Sequence, residues 1–155
     1  MDKLDAAMAT HKAKKDEEAR VQELERQERD RFEKEAGLFL QTVVYQELEI
    51  VGNHLRQGGH DFRIETDLDK LSITLHVYVD STYADHHYVR DHMSHPSVSL
   101  LADTHGRQLR FHAVRKYRGG GGQSGSEGRP YNLDELNALI IRDVVVDVIS
   151  DSLTK

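Results

Sequence analysis

The sequence predicts an α+β fold: a four-stranded antiparallel sheet made of two hairpins, with a long N-terminal helix and a C-terminal helix packed on one face. Three observations point there. Apolar residues recur at helical spacing between Leu38 and Leu55. Strict apolar–polar alternation follows, clearest from Leu71 to Val79. A last apolar segment, Leu136 to Ile149, carries its aspartates on one side. Helix, strands, helix is the order in which two helices cover one side of an antiparallel sheet and leave the other side to solvent or to a ligand.

The N-terminal helix begins in a charged zone. Residues 1–35 hold 9 Lys/Arg and 11 Asp/Glu and no Gly or Pro. Asp16 and Arg20, Glu25 and Arg29, and Asp30 and Lys34 stand four apart, the spacing that supports a helix by ~0.2–0.5 kcal/mol per pair. A thin heptad line runs Val21, Leu24, Glu28, Arg31, Glu35, Leu38. Most of it is charged, which makes a poor coiled-coil seam. Residues 1–35 are therefore expected to be a charged helical arm that packs, pairs or frays, ahead of a single domain over 36–155. From Leu38 the face becomes apolar: Leu40, Val44, Leu48, Val51 and Leu55, until Gly58-Gly59 stops the helix. A rod from about residue 5 to 57 spans ~80 Å at 1.5 Å per residue. One small domain cannot cover it.

The first hairpin pairs Phe62, Ile64 and Thr66 with Leu71 to Val79 through the turn Asp67-Leu68-Asp69-Lys70. The second runs from Val98 to Ala102, turns at Asp103-Thr104-His105-Gly106 with glycine expected at positive φ, and returns through Leu109, Phe111 and Ala113. Loops are expected at 81–96 and 118–130. The second contains Gly119-Gly120-Gly121-Gly122 and reads as a flexible linker. The C-terminal helix is expected to start at Asn132, with Glu135 completing a capping box and Tyr131 stapling onto Leu136.

Composition excludes several classes. The 155 residues contain no cysteine, so disulfides, thiolate metal sites and cysteine nucleophiles are absent. No apolar run reaches the length of a membrane span, and no basic stretch followed by an apolar one opens the sequence. A cytoplasmic protein without a membrane partner is the expectation. The net charge of −6 argues against a general nucleic-acid coat and leaves room for a local basic patch.

Ten histidines are many for this length, and four crowd into residues 86–95. On a helical turn His87, Asp91 and His95 would share a face, with His92 three residues before His95, and a divalent metal could bind there. The segment lacks the glutamate of a His-Glu-x-x-His zinc motif, and a solvated polar loop explains the same residues. Tyr83, Tyr88 and Met93 in this loop suit a contact surface. A second candidate is the outer sheet face, where Arg63, His76, Tyr78, Arg110, His112 and Lys116 would align as a basic and aromatic surface for a partner or for single-stranded nucleic acid. The glycine tract fits no phosphate-loop pattern, and no nucleophile elbow is present. With no catalytic or cofactor motif standing, a non-enzymatic protein–protein interaction module is the leading expectation: an adaptor, chaperone-like or inhibitor protein. Its partner is another protein, and homodimerisation would bury surplus apolar surface on Phe39, Val43, Ile50, Val146 and Ile149. A nucleic-acid binder and a metal-dependent enzyme or sensor at His86–His95 are the alternatives.

Overall fold

A computed structural model of the chain describes residues 1–82 and 95–155. The elements run α1 (Asp2–Phe39), a π-helical turn (Leu40–Val44), α2 (Tyr45–Gln57), β1 (Asp61–Asp67), β2 (Ser72–Tyr78), β3 (Ser97–Asp103), β4 (Gln108–Lys116), β5 (Gly122–Tyr131), a 3₁₀ turn (Leu133–Glu135) and α3 (Ala138–Thr154). The sheet is an antiparallel meander in the order β1-β2-β3-β4-β5. The α+β class and the two flanking helices stand as expected, but the sheet has five strands rather than four.

α1, the π turn and α2 form one rod without a break in right-handed helical geometry. Its buried line explains the π turn. Phe32, Ala36, Leu40, Val44 and Leu48 are all buried and stand four residues apart. In a plain α-helix each step of four drifts ~40° around the axis, ~160° over this stretch. A π turn is wider and takes in one extra residue, which brings the line back over the sheet. Past it, Val51 and Leu55 continue the contact to the helix end.

The core lies between this rod, α3 and the inner sheet face. Ile73, Leu75 and Val77 of β2, Val98 and Leu100 of β3, and Leu109, Phe111 and Ala113 of β4 meet Leu40 to Leu55 of the rod and Ile141, Val145, Val148 and Ile149 of α3. Register explains the sharing of faces: Leu75 stands opposite Val98, and Val98 opposite Ala113. α3 starts later than expected, at Ala138, where the Asn137 side chain accepts from the Ile140 amide at 3.0 Å. The Asn132–Glu135 capping box does form, but it closes only the preceding 3₁₀ turn. Tyr131 packs edge-on against Phe111 instead, ring centroids 6.0 Å apart. The β-branched run Val144-Val145-Val146 is helical because Val145 is buried in the core, which outweighs local propensity.

The fifth strand corrects the loop expected over 118–130. The glycine tract makes a tight β4–β5 connection, with the Tyr117 amide donating to the Gly121 carbonyl and Gly120 and Gly121 at φ of 103° and 75°. Gly122 is required for packing too, since a Cβ there would lie 2.2 Å from the Arg115 carbonyl oxygen. β5 carries Ser, Gly, Glu, Arg and Pro, a composition that suits an edge strand facing water. In the β3–β4 turn it is Arg107, not Gly106, that takes positive φ. A Cβ at Gly106 would meet the exposed Asp103 carboxylate, which could swing aside.

Ion pairs tie neighbouring elements together. Arg115 of β4 forks onto Glu127 of β5 at 2.8 and 2.9 Å and reaches Asp151 of α3 at 2.9 Å. Arg142 of α3 donates to the buried Glu47 of α2 at 2.8 Å. The hydrogen bonds from Arg115 hold the Glu127 carboxyl below its ordinary value of 4.5. A carboxylate depressed in the folded state contributes stability above its unfolded pKa, and that stability is lost as pH falls through the folded value. Arg115→Gln is therefore expected to lower stability by about 2 kcal/mol at neutral pH, and to flatten the fall in stability below pH 4.5. Urea unfolding as a function of pH measures both.

Gly52 of α2 lies directly on Phe62 of β1, and a Cβ there would fall 2.4–2.6 Å from three ring atoms. Arg56 stacks over the same ring at 4.4 Å. Gly52→Ala gains ~1 kcal/mol of helix propensity but must displace a packed ring, an overpacking cost of ~1–3 kcal/mol. A net fall in the thermal midpoint is the expected outcome of calorimetry; a rise would show that Phe62 can move freely.

Candidate functional site

With both helices on one side, the alternate residues of the strands form the outer sheet face. Register gathers part of it. Arg63 stands opposite His76, Glu65 opposite Thr74, and Thr74 opposite Ser99. Diagonal neighbours then connect. The Glu65 carboxylate lies 2.8 Å from His76 Nε2, and His76 Nδ1 lies 2.8 Å from His95 Nε2. The Arg63 guanidinium reaches Glu65 at 3.3 Å and the Tyr78 hydroxyl at 3.5 Å. The His95 ring sits 5.0 Å from both the His76 and Tyr78 rings. The Thr74 and Ser99 hydroxyls join at 2.8 Å.

This is a carboxylate–imidazole–imidazole chain, and both its rings and the neighbouring Tyr78 ring are inside the protein: His76 is 5%, His95 8% and Tyr78 2% exposed. Burying an imidazole without a partner costs free energy. The chain supplies the partners. The His76 hydrogen bond holds the Glu65 carboxyl below its ordinary value, so Glu65 is an acceptor. His76 Nε2 must then carry a proton. Only one proton fits between His76 Nδ1 and His95 Nε2. In the neutral pair His95 donates it; when the pair takes up one more proton, whichever ring carries the charge donates it. The arrangement can relay or hold a proton along one line.

The sequence-derived candidates divide. Arg63, His76 and Tyr78 come together. His112 stands opposite Ser99 two strands from His76, with Arg110 and Lys116 exposed on the same strand. Tyr78 and His76, taken from sequence as a surface for stacking, are buried. Of the proposed metal set, His95 is bonded to His76, while His87, Asp91 and His92 lie outside the described residues, as do Tyr83, Tyr88 and Met93. Among the described residues no group of three or more His, Asp or Glu is placed to hold a metal ion. No helix among them is long and apolar enough to cross a membrane.

The larger concavity lies on the helical side. A groove of about 690 Å³ runs between α2 and α3, lined by Ile50, Leu55, Val146, Ile149 and Leu153, with Asn53 and Gln57 along its α2 edge. Ile50 and Val146 are each 43% exposed. Of the other apolar residues expected to be in surplus, Ile149 is buried, and Phe39 and Val43 pack partly against the core. Beyond the domain, every residue from 1 to 28 is exposed. Among the described residues, Arg107 of the β3–β4 turn bonds Glu28 at the end of this exposed stretch. The arm's ion pairs run Glu17–Arg20, Glu23–Arg26 and Arg26–Asp30, mostly three residues apart rather than four.

No protein-family model, no curated protein and no solved structure matches the chain.

The Glu65 contact fixes the tautomer of His76. At about pH 8, above the ordinary imidazole range, long-range proton–nitrogen NMR is expected to show the proton of His76 on Nε2. A bare Nε2 beside a protonated Nδ1 would refute the chain as drawn.

Proposed function

We propose that the chain is a non-enzymatic protein–protein interaction module, adaptor or chaperone-like in kind, that works as a homodimer. One observation carries this reading: the molecule leaves two complementary surfaces unused. A helical arm extends ~40 Å past the domain at 1.5 Å per residue, and an apolar groove lies open between α2 and α3. Apolar surface of this kind, rimmed by polar groups such as Arg142 and Asn53, marks contact sites.

A second copy is the occupant argued for the groove. Residues 1–15 carry four lysines and two aspartates, while α3 carries one arginine and three aspartates, so opposite charges face each other across copies. The arm cannot fold back into its own groove, since both belong to one continuous rod. Analytical ultracentrifugation of the full chain is expected to give twice the 17.7 kDa chain mass at micromolar concentration. Ile50→Glu and Val146→Glu, both at exposed positions, are expected to weaken the dimer by at least about tenfold, or 1.4 kcal/mol, with the circular dichroism of the fold retained. A mass of one chain for the unmodified protein would overturn the proposal.

A further inference from the structure

We infer that two copies pair antiparallel along the rod, the arm of each lying in the α2–α3 groove of the other. This rests on the homodimer proposed above and assigns its geometry. The heptad line of the arm is Val21, Leu24, Glu28, Arg31, Glu35, Leu38. The π turn at Leu40–Val44 takes in one extra residue, so past it the same line continues one place later, through Val43, Gln46, Ile50, Asn53 and Gln57. Ile50, Asn53 and Gln57 line the groove. The seam of the arm therefore runs straight into the groove along one side of the rod. The domain packs against a neighbouring side, through Phe32, Ala36 and Leu40.

Charge selects the direction. In a parallel, in-register pair Glu28, Arg31 and Glu35 would each face its own copy, three successive like-charge layers. In an antiparallel pair centred between residues 29 and 30, Glu28 faces Arg31 and Val21 faces Leu38, each twice by symmetry. Val21 and Leu38 are 40% and 64% exposed in the single chain, so this register gives both a cover. Leu24 meets Glu35, where only the aliphatic stem of the glutamate can pack. The same register, allowing for the extra residue, sets Ala7 and Thr10 of one copy beside Asn53 and Ile50 of the other. Small side chains there let the arm enter the space between two helices. The lysines at 3, 12, 14 and 15 then flank α3, whose exposed face carries Asp143 and Asp147. Glu28 already bonds Arg107 within its own chain, and its half-exposed carboxylate has room for a second guanidinium.

The absence of native cysteine makes the direction directly readable. Val21→Cys and Leu38→Cys proteins, mixed, exchanged and oxidised gently, are expected to join as a mixed disulfide. Neither variant alone is expected to join to itself. Glu28→Arg and Arg31→Glu, each alone, put like charges face to face and are expected to weaken the dimer at least about tenfold. The double exchange, made like the single ones in an Arg107→Gln background so that no like charge is set against Arg107, restores it. Self-joining of the Val21→Cys protein, with the dimer mass intact, would overturn the antiparallel register and leave the homodimer standing. Failure of the double exchange to restore the dimer would count equally against the register. A monomer mass for the unmodified chain would overturn both readings together.

Discussion

The constraint on which this structure depends is that one helix must both cover a sheet and leave it. A straight α-helix turns its buried line away from a flat partner within a few turns when that line steps by four residues. Here the line does step by four, from Phe32 to Leu48, and the π turn at Leu40–Val44 absorbs the drift. The same turn decides how the free arm is aimed. It shifts the phase of the exposed side by one residue, so the heptad line of α1 emerges on the groove edge of α2 instead of being rotated into the domain. Covering the core and aligning the arm with the groove are two consequences of one extra residue. That α2 can sit this low over β1 depends in turn on Gly52, whose missing side chain is the space filled by Phe62.

The opposite face of the sheet is governed by a different rule. With both helices on one side, nothing among the helices can satisfy polar groups on the other. His76 and Tyr78 are nevertheless buried, and their polar atoms are met by Glu65, His95 and Arg63. Because the two imidazoles share a single proton, removing any one member takes a hydrogen-bond partner from its neighbour. Such a chain behaves as a unit and fixes how β1, β2 and the start of β3 sit together.

Much of this was legible in the sequence, for reasons that particular residues make plain. Leu40, Val44, Leu48, Val51 and Leu55 read as one buried face because apolar side chains at helical spacing leave few alternatives. β2 read clearly because Ile73, Leu75 and Val77 alternate with Ser72, Thr74 and His76. β5 did not, because period-two patterning needs apolar side chains, and Gly122 to Gly128 has none to offer; an edge strand needs only backbone groups to pair with β4. For the same reason four glycines read as a linker, when two of them hold the positive φ of a hairpin turn. The start of α3 was misplaced because Asn132 and Asn137 both offer caps, and only tertiary packing of Leu136 and Ile141 separates the 3₁₀ turn from the helix. At the polar face, the neighbourhood of Arg63, Glu65 and His76 follows from the short turn at Asp67–Lys70. The link to His95 does not, since a long connection separates it from β2 and no local spacing encodes its return.

The arm's ion pairs Glu17–Arg20, Glu23–Arg26 and Arg26–Asp30 join exposed side chains and bias the helix only weakly. Helix propensity adds little beyond break-even, since propagation constants near 25 °C stay close to one. What the arm has is a nucleus: it grows from a helix already fixed by Phe32, Ala36 and Leu40, so the costly first turn is supplied by the domain. A helix that is nucleated but only marginally stabilised responds strongly to anything that covers its seam. Association and arm order are then linked equilibria, each shifting the other by the free energy of the contacts made. The charged heptad line fits that role better than an apolar one would. Leucines throughout would bind almost any apolar groove and would aggregate when free. In the proposed pair, Glu28 and Arg31 between Val21 and Leu38 would leave the direction of pairing to be set by charge.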